Sequence, residues 1–158
     1  MNILILGDIM GASGRKALSN KLPNLIKINK IDFVIANGEN ASDDGRGITQ
    51  KITEKFFEIG VDVITSGNHI WDKKETTDFI EKENRLLRPA NLVNGSPGRG
   101  YKIYNSRDKK FKVGVINLMG NVFMRKTEDV FKTAEEISNK MKLKKDVDFI
   151  VVDFHGEI

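Results

Sequence analysis

Acids, amides and imidazoles recur in this sequence at one kind of place, directly after a run of apolar residues. Ile3-Leu4-Ile5-Leu6-Gly7 stops at Asp8, and Phe33-Val34-Ile35-Ala36-Asn37-Gly38 stops at Glu39-Asn40. Val61-Asp62-Val63-Ile64-Thr65-Ser66-Gly67 leads into Asn68-His69, and Phe149-Ile150-Val151-Val152-Asp153-Phe154 leads into His155. One such acid alone would read as a turn former or helix cap, and a lone histidine as structural. The repetition asks for another account. Carboxylate, amide oxygen and imidazole together suit manganese, ferrous iron or zinc better than calcium, which prefers oxygen alone. A bridging carboxylate holds two such ions ~3.5–4 Å apart in sites that displace groups at phosphorus. An imidazole beside the leaving oxygen can protonate it.

Residues so far apart in sequence meet only if the runs are strands of a mostly parallel sheet. The carboxyl ends of such strands lie along one edge, where open α/β folds bind ligands. The pattern predicts strands at 2–7, 31–36, 61–65 and 147–154, the first of them continuously apolar as buried parallel strands are. Between them it predicts a helix at about 14–29, with Ala17, Leu18, Leu22, Leu25, Ile26 and Ile28 as its apolar face and Pro23 bending or splitting it. A second helix, at about 50–59, is capped by Thr49 and stopped by Gly60. Asp72 and Glu75 have the spacing of a capping box for a third, at about 73–83. A short extended piece limited by Pro89 follows, then a partly exposed antiparallel hairpin at 101–104 and 111–117. Thr127 opens a last helix at about 128–143, with Val130, Phe131, Ala134, Ile137 and Met141 on one stripe. The polar, glycine-punctuated segment 37–47 has the composition of a binding loop. The order of elements argues for an α/β sandwich in one domain, 1–158.

Composition narrows the chemistry further. At 158 residues the chain can bury ~70% of its unfolded surface. The absence of cysteine excludes disulfides, zinc thiolates and thiol nucleophiles, so any metal must be held by O and N ligands. The net charge of +4 comes from scattered lysines with no basic block interleaved with aromatics, so long nucleic acid is not the expected partner. No run approaches the ~20 apolar residues of a membrane span, and the expected location is the cytoplasm.

The motifs Gly7-Asp8, Asn37-Gly38-Glu39-Asn40, Gly67-Asn68-His69 with Trp71-Asp72, Arg88-Pro89-Ala90-Asn91 and Asp153-Phe154-His155-Gly156-Glu157 resemble, in order, those of the bacterial YmdB-like metallophosphoesterases. The resemblance implies a calcineurin-like α/β/β/α sandwich holding two iron or manganese ions, zinc being the further option. It implies hydrolysis of phosphodiesters, small cyclic nucleotides (2′,3′-cyclic especially) being the substrates. By the same resemblance Asp8 would bind one metal with Asn40 beside it. Glu39 would bridge, Asn68 and His155 would bind the second ion, and His69 would be the general acid. Met10 stands where many metallophosphoesterases have a histidine. The later Gly-x-His-x-His motif of the family has no match, and only His69 and His155 are present. The sequence therefore reads as the N-terminal portion of a longer protein, impaired as a catalyst on its own.

Arg46, Arg88 and Arg99 lie in glycine- or proline-rich loops, and Arg88 is the best placed to clamp a phosphate. Trp71 reads as core packing beside the loop rather than a base-stacking surface. Two other readings compete. Gly7, Gly11 and Gly14 are compatible with a non-catalytic nucleotide- or phosphate-binding module. An exposed apolar face or sheet edge would instead make a self-associating, inactive fragment.

Overall fold

The computed structural model describes residues 1–156. In chain order it contains β1 (Ile3–Leu6), α1 (Gly11–Asn29), β2 (Phe33–Asn37), α2 (Gln50–Glu58), β3 (Val63–Thr65), α3 (Thr76–Phe79), β4 (Tyr101–Asn105), β5 (Lys112–Met119), α4 (Val130–Lys140) and β6 (Phe149–His155). The first sheet has the order β1-β2-β3 and is parallel throughout, with Ile3 beside Phe33 and Ile35 beside Val63. The second has the order β4-β5-β6, antiparallel between β4 and β5 and parallel between β5 and β6.

Alternation along the two central strands sets the layers, because successive side chains of a strand point to opposite faces. On β2, Val34 and Ala36 join Leu18, Leu22, Phe56 and Ile64 under the helices. Phe33 and Ile35 face the other way and pack with Val63, Leu87, Val113 and Val115 between the two sheets. On β5 the remaining positions, Ile116 and Leu118, meet Ile137, Met141 and Val147 beneath α4. Helices, sheet, sheet and helix therefore stack as an α/β/β/α sandwich. Among the described residues no helix is long and apolar enough to cross a membrane.

Several elements depart from the sequence expectation. Pro23 neither splits nor ends α1, which is continuous through it. Leu18 and Leu22 are anchored in the core while Pro23 faces solvent, where water can bond the carbonyl that loses its partner. The buried face of α1 is also narrower than expected, since Leu25 and Ile28 are exposed. The third helix shrinks to one turn because both of its expected caps are engaged elsewhere. Asp72 bonds His69, and Glu75 accepts the Gln50 amide at 2.8 Å. Asp129 rather than Thr127 caps α4, accepting from the Lys132 amide at 2.8 Å. Phe131 leaves the apolar stripe and is 83% exposed. β5 is the buried centre of its sheet, whereas β6, paired on one side among the described residues, leaves Val152 and Phe154 about half exposed.

Candidate active site

Parallel order carries Asp8, Glu39, Asn40, Asn68 and His69 to one edge, and backbone bonds then fix how the tips sit. The Ile9 amide donates to the Asn37 carbonyl at 3.0 Å and the Gly11 amide to the Asn40 carbonyl at 2.8 Å, tying the turn after β1 to the tip of β2. The Gly38 amide donates to the Thr65 carbonyl at 3.0 Å, tying that tip to β3. These bonds use two amides of the glycine-containing segment 7–14, the segment on which the phosphate-module reading depended. The second sheet is joined by Asn117. Its Oδ1 accepts from the Ser66 amide at 2.9 Å, and its Nδ2 donates to the carbonyls of Ser66 at 3.0 Å and Asp153 at 3.4 Å. His155, at the end of β6, is thereby set against the loop after β3.

Asn40 Nδ2 donates to Asp8 Oδ2 at 2.7 Å and to Glu39 Oε1 at 3.3 Å. Glu39 is 1% exposed. Its Oε1 lies 3.1 Å from His155 Nε2, and its Oε2 accepts from the His69 amide at 3.3 Å. His155 Nε2 also lies 2.8 Å from Asn68 Oδ1. Both of these groups are acceptor oxygens, the kind of atom that would share an ion with that nitrogen. The chain of contacts continues from Asn68 Nδ2 to His69 Nε2 at 3.3 Å, and from His69 Nδ1 to Asp72 Oδ2 at 2.8 Å. The carboxylate fixes the proton of His69 on Nδ1 and leaves Nε2 as the acceptor. Gly67 makes this crowding feasible. A Cβ there would lie 2.1 Å from Glu39 Oε2 and 2.4 Å from His155 Cδ2.

The donors suit a metal ion in type and spacing. Ligands held about 2.1 Å from one ion, at right angles, lie about 3 Å from each other, and His155 Nε2 is 2.8 and 3.1 Å from Asn68 Oδ1 and Glu39 Oε1. Asn40 Oδ1 is buried without a hydrogen-bond partner, an oxygen lone pair lacking a donor or cation. Among the described residues no group of three or more histidine, aspartate and glutamate side chains is arranged to hold an ion. The cluster instead mixes two carboxylates, two amides and one imidazole.

Five expected ligands and the expected acid thus fall into one connected set. Asp8 joins it through Asn40. Arg88 does not join it. Its guanidinium donates to the carbonyls of Pro97 at 3.1 Å, Pro89 at 2.8 Å, Ala90 at 3.3 Å and Ser96 at 3.2 Å, stitching the 88–97 loop. Burial pushes its pKa below the usual arginine value, so the phosphate clamp expected of it has no geometric support. Trp71 packs against the helix-side core. Glu157, the last residue of its motif, lies outside the described residues. Sequence reasoning missed Asp72 as the partner of His69; the available signal was an acid three residues after the histidine. It also missed Asn117, which nothing distinguishes from any other asparagine in a strand.

The family model described as YmdB-like protein matches residues 4–158. Among curated proteins, the 2′,3′-cyclic-nucleotide 2′-phosphodiesterase of Bacillus subtilis (strain 168) is 41% identical over 157 residues, covering 99% of this chain and 58% of that protein. A solved structure described as a novel phosphatase from Mycoplasma pneumoniae superposes with a TM-score of 0.87 at 33% identity, over 99% of this chain and 55% of that one. The 5′-nucleotidase of Candida albicans SC5314 gives a TM-score of 0.60 at 18% identity, over 99% and 36% of the two chains, a likeness of fold alone. The chain spans a little over half the length of the curated relative it matches.

Proposed function

The chain belongs to the YmdB-like family, and on that premise we propose that it is a metal-dependent phosphodiesterase domain acting on small cyclic nucleotides, 2′,3′-cyclic ones above all. The observation that carries the reading is the meeting of His155 Nε2, Asn68 Oδ1 and Glu39 Oε1 within 3.1 Å, from two sheets. Asp8, with Asn40 beside it, would hold one ion; Glu39 would be shared, and Asn68 and His155 would hold the second. Manganese or iron fits the mixed donors best. When bound, the pair of ions supplies a hydroxide nucleophile at neutral pH and offsets charge growing on the phosphoryl oxygens.

The protein's own groups do the rest. Glu39, buried and touched by a ring nitrogen, an amide side chain and a backbone amide, is held in one orientation. His69 carries a proton to the leaving oxygen from Nε2, the ring nitrogen that Asp72 does not bond, and Asp72 stabilises the imidazolium before transfer. The sequence has two histidines, His69 and His155, and His69 is this acid. One imidazole ligand therefore serves two ions, and the 158-residue chain binds metal weakly.

Metal content and hydrolysis test the reading together. Purified in excess manganese, the chain should retain metal and slowly open adenosine 2′,3′-cyclic phosphate; Glu39→Gln should lose both. Nucleotide binding that survives both chelator and Glu39→Gln would replace this reading with a metal-free binding module.

A further inference from the structure

The loop between β5 and α4 begins at the site. Met119 is the register partner of His155, and the Gly120 amide donates to the His155 carbonyl at 2.9 Å. One buried side chain fastens both ends of this loop. Asn91 Oδ1 accepts from the Met119 amide at 2.9 Å, and Asn91 Nδ2 donates to the Met119 carbonyl at 2.7 Å and to Thr127 Oγ1 at 3.0 Å. The Asn91 carbonyl also accepts from the Glu128 amide at 2.8 Å. The neck is closed, and what lies between is held out to solvent.

Phe123 is what it holds out. It is 85% exposed, and its backbone takes φ 58°, a left-handed conformation that bulky side chains rarely adopt. A bulky residue kept in that conformation, with its ring off the core, points to a task for the ring. Arg125 and Lys126, both exposed, follow within three residues. An aromatic face flanked by cations is how single nucleotides are gripped, by stacking on the base and attraction to the phosphate. Three residues reach at most ~11 Å, so the backbone of Phe123 lies within that distance of Gly120, whose amide bonds the His155 carbonyl.

We propose that Phe123 is the stacking surface for the base of a nucleotide whose phosphate lies at the Glu39–Asn68–His155 cluster. The proposal rests on the phosphodiesterase reading for the position of the phosphate, and it makes Phe123 the residue that separates nucleotides from other phosphate esters.

Calorimetry on the manganese-loaded full chain tests this with two probes, adenosine 3′-phosphate and the same sugar phosphate without its base. The wild-type protein should bind the nucleotide more tightly. Phe123→Ala should weaken nucleotide binding by roughly 5–100-fold and leave the sugar phosphate unchanged, and Phe123→Trp should keep the preference. Equal binding of the two probes by the wild type, binding of neither, or no effect of Phe123→Ala would overturn the proposal. Loss of a dimer on sedimentation of Phe123→Ala, with probe binding unchanged, would overturn it in favour of contact between copies of the chain. If base-selective binding depends on Phe123 while no phosphodiester is cleaved, the stacking surface stands and the phosphodiesterase reading falls.

Discussion

On the proposed reading, His69 delivers its proton from Nε2, because Asp72 engages Nδ1. Replacing His69 by alanine should lower turnover about 10²–10⁴-fold on cyclic nucleotides, and less on a nitrophenyl ester whose leaving group needs no acid. Manganese content, read by elemental analysis, should not change; a loss of metal would make His69 a ligand. Gly67 acts through what it lacks. Gly67→Ala would drive a methyl group onto Glu39 and His155, so it should cost about 1–3 kcal/mol in urea unfolding and lower manganese content more than any exposed substitution. At this scale the donor residues were legible, because acids, amides and imidazoles repeated after apolar runs. Their partners were not. Asp72 looked like a helix cap because its spacing to Glu75 fits one, and only three dimensions show that both carboxylates serve other groups. Arg88 looked like a clamp because composition says nothing of four nearby carbonyls.

The strands were legible because parallel, doubly covered strands are apolar without interruption, as the fully buried β2 is. Partly covered elements were harder to place. Hairpin spacing made β5 look half-exposed, yet it is the middle strand, and the partner that buries it, β6, arrives about 30 residues later. Pro23 misled for the opposite reason, since tertiary anchoring of its neighbours outweighs a local cost of about 3 kcal/mol. The loop after β5 depends on a single asparagine from another segment. Asn91→Ala would leave the buried Met119 amide and carbonyl without their side-chain partner. A destabilisation of about 1–3 kcal/mol follows, measurable in urea, with faster protease cleavage between Gly120 and Glu128.

Across the molecule, the edge opposite the site carries its own partly buried charge. Asp62 accepts from the Val34 amide at 2.7 Å and pairs with Arg107 at 2.7 Å, yet burial raises its pKa above the ordinary aspartate value. A raised pKa means that the folded state holds the proton more tightly than the unfolded one. The stability tied to Asp62 is therefore full below 3.8, the unshifted value, and is lost as pH rises through the raised one. Asp62→Asn cannot ionise, so its melting temperature relative to wild type should be higher at pH 7 than at pH 3.5. Calorimetric scans across that range check the sign. The sandwich has a further consequence at its other edge. Asp8, Glu39, Asn40 and Asn68 ride on one slab of the protein and His155 on the other. Whatever grips all five is a clasp between slabs. Prising them apart and letting go of the cargo become a single event, so slack between the layers would be felt first as leakage, and loading as cohesion.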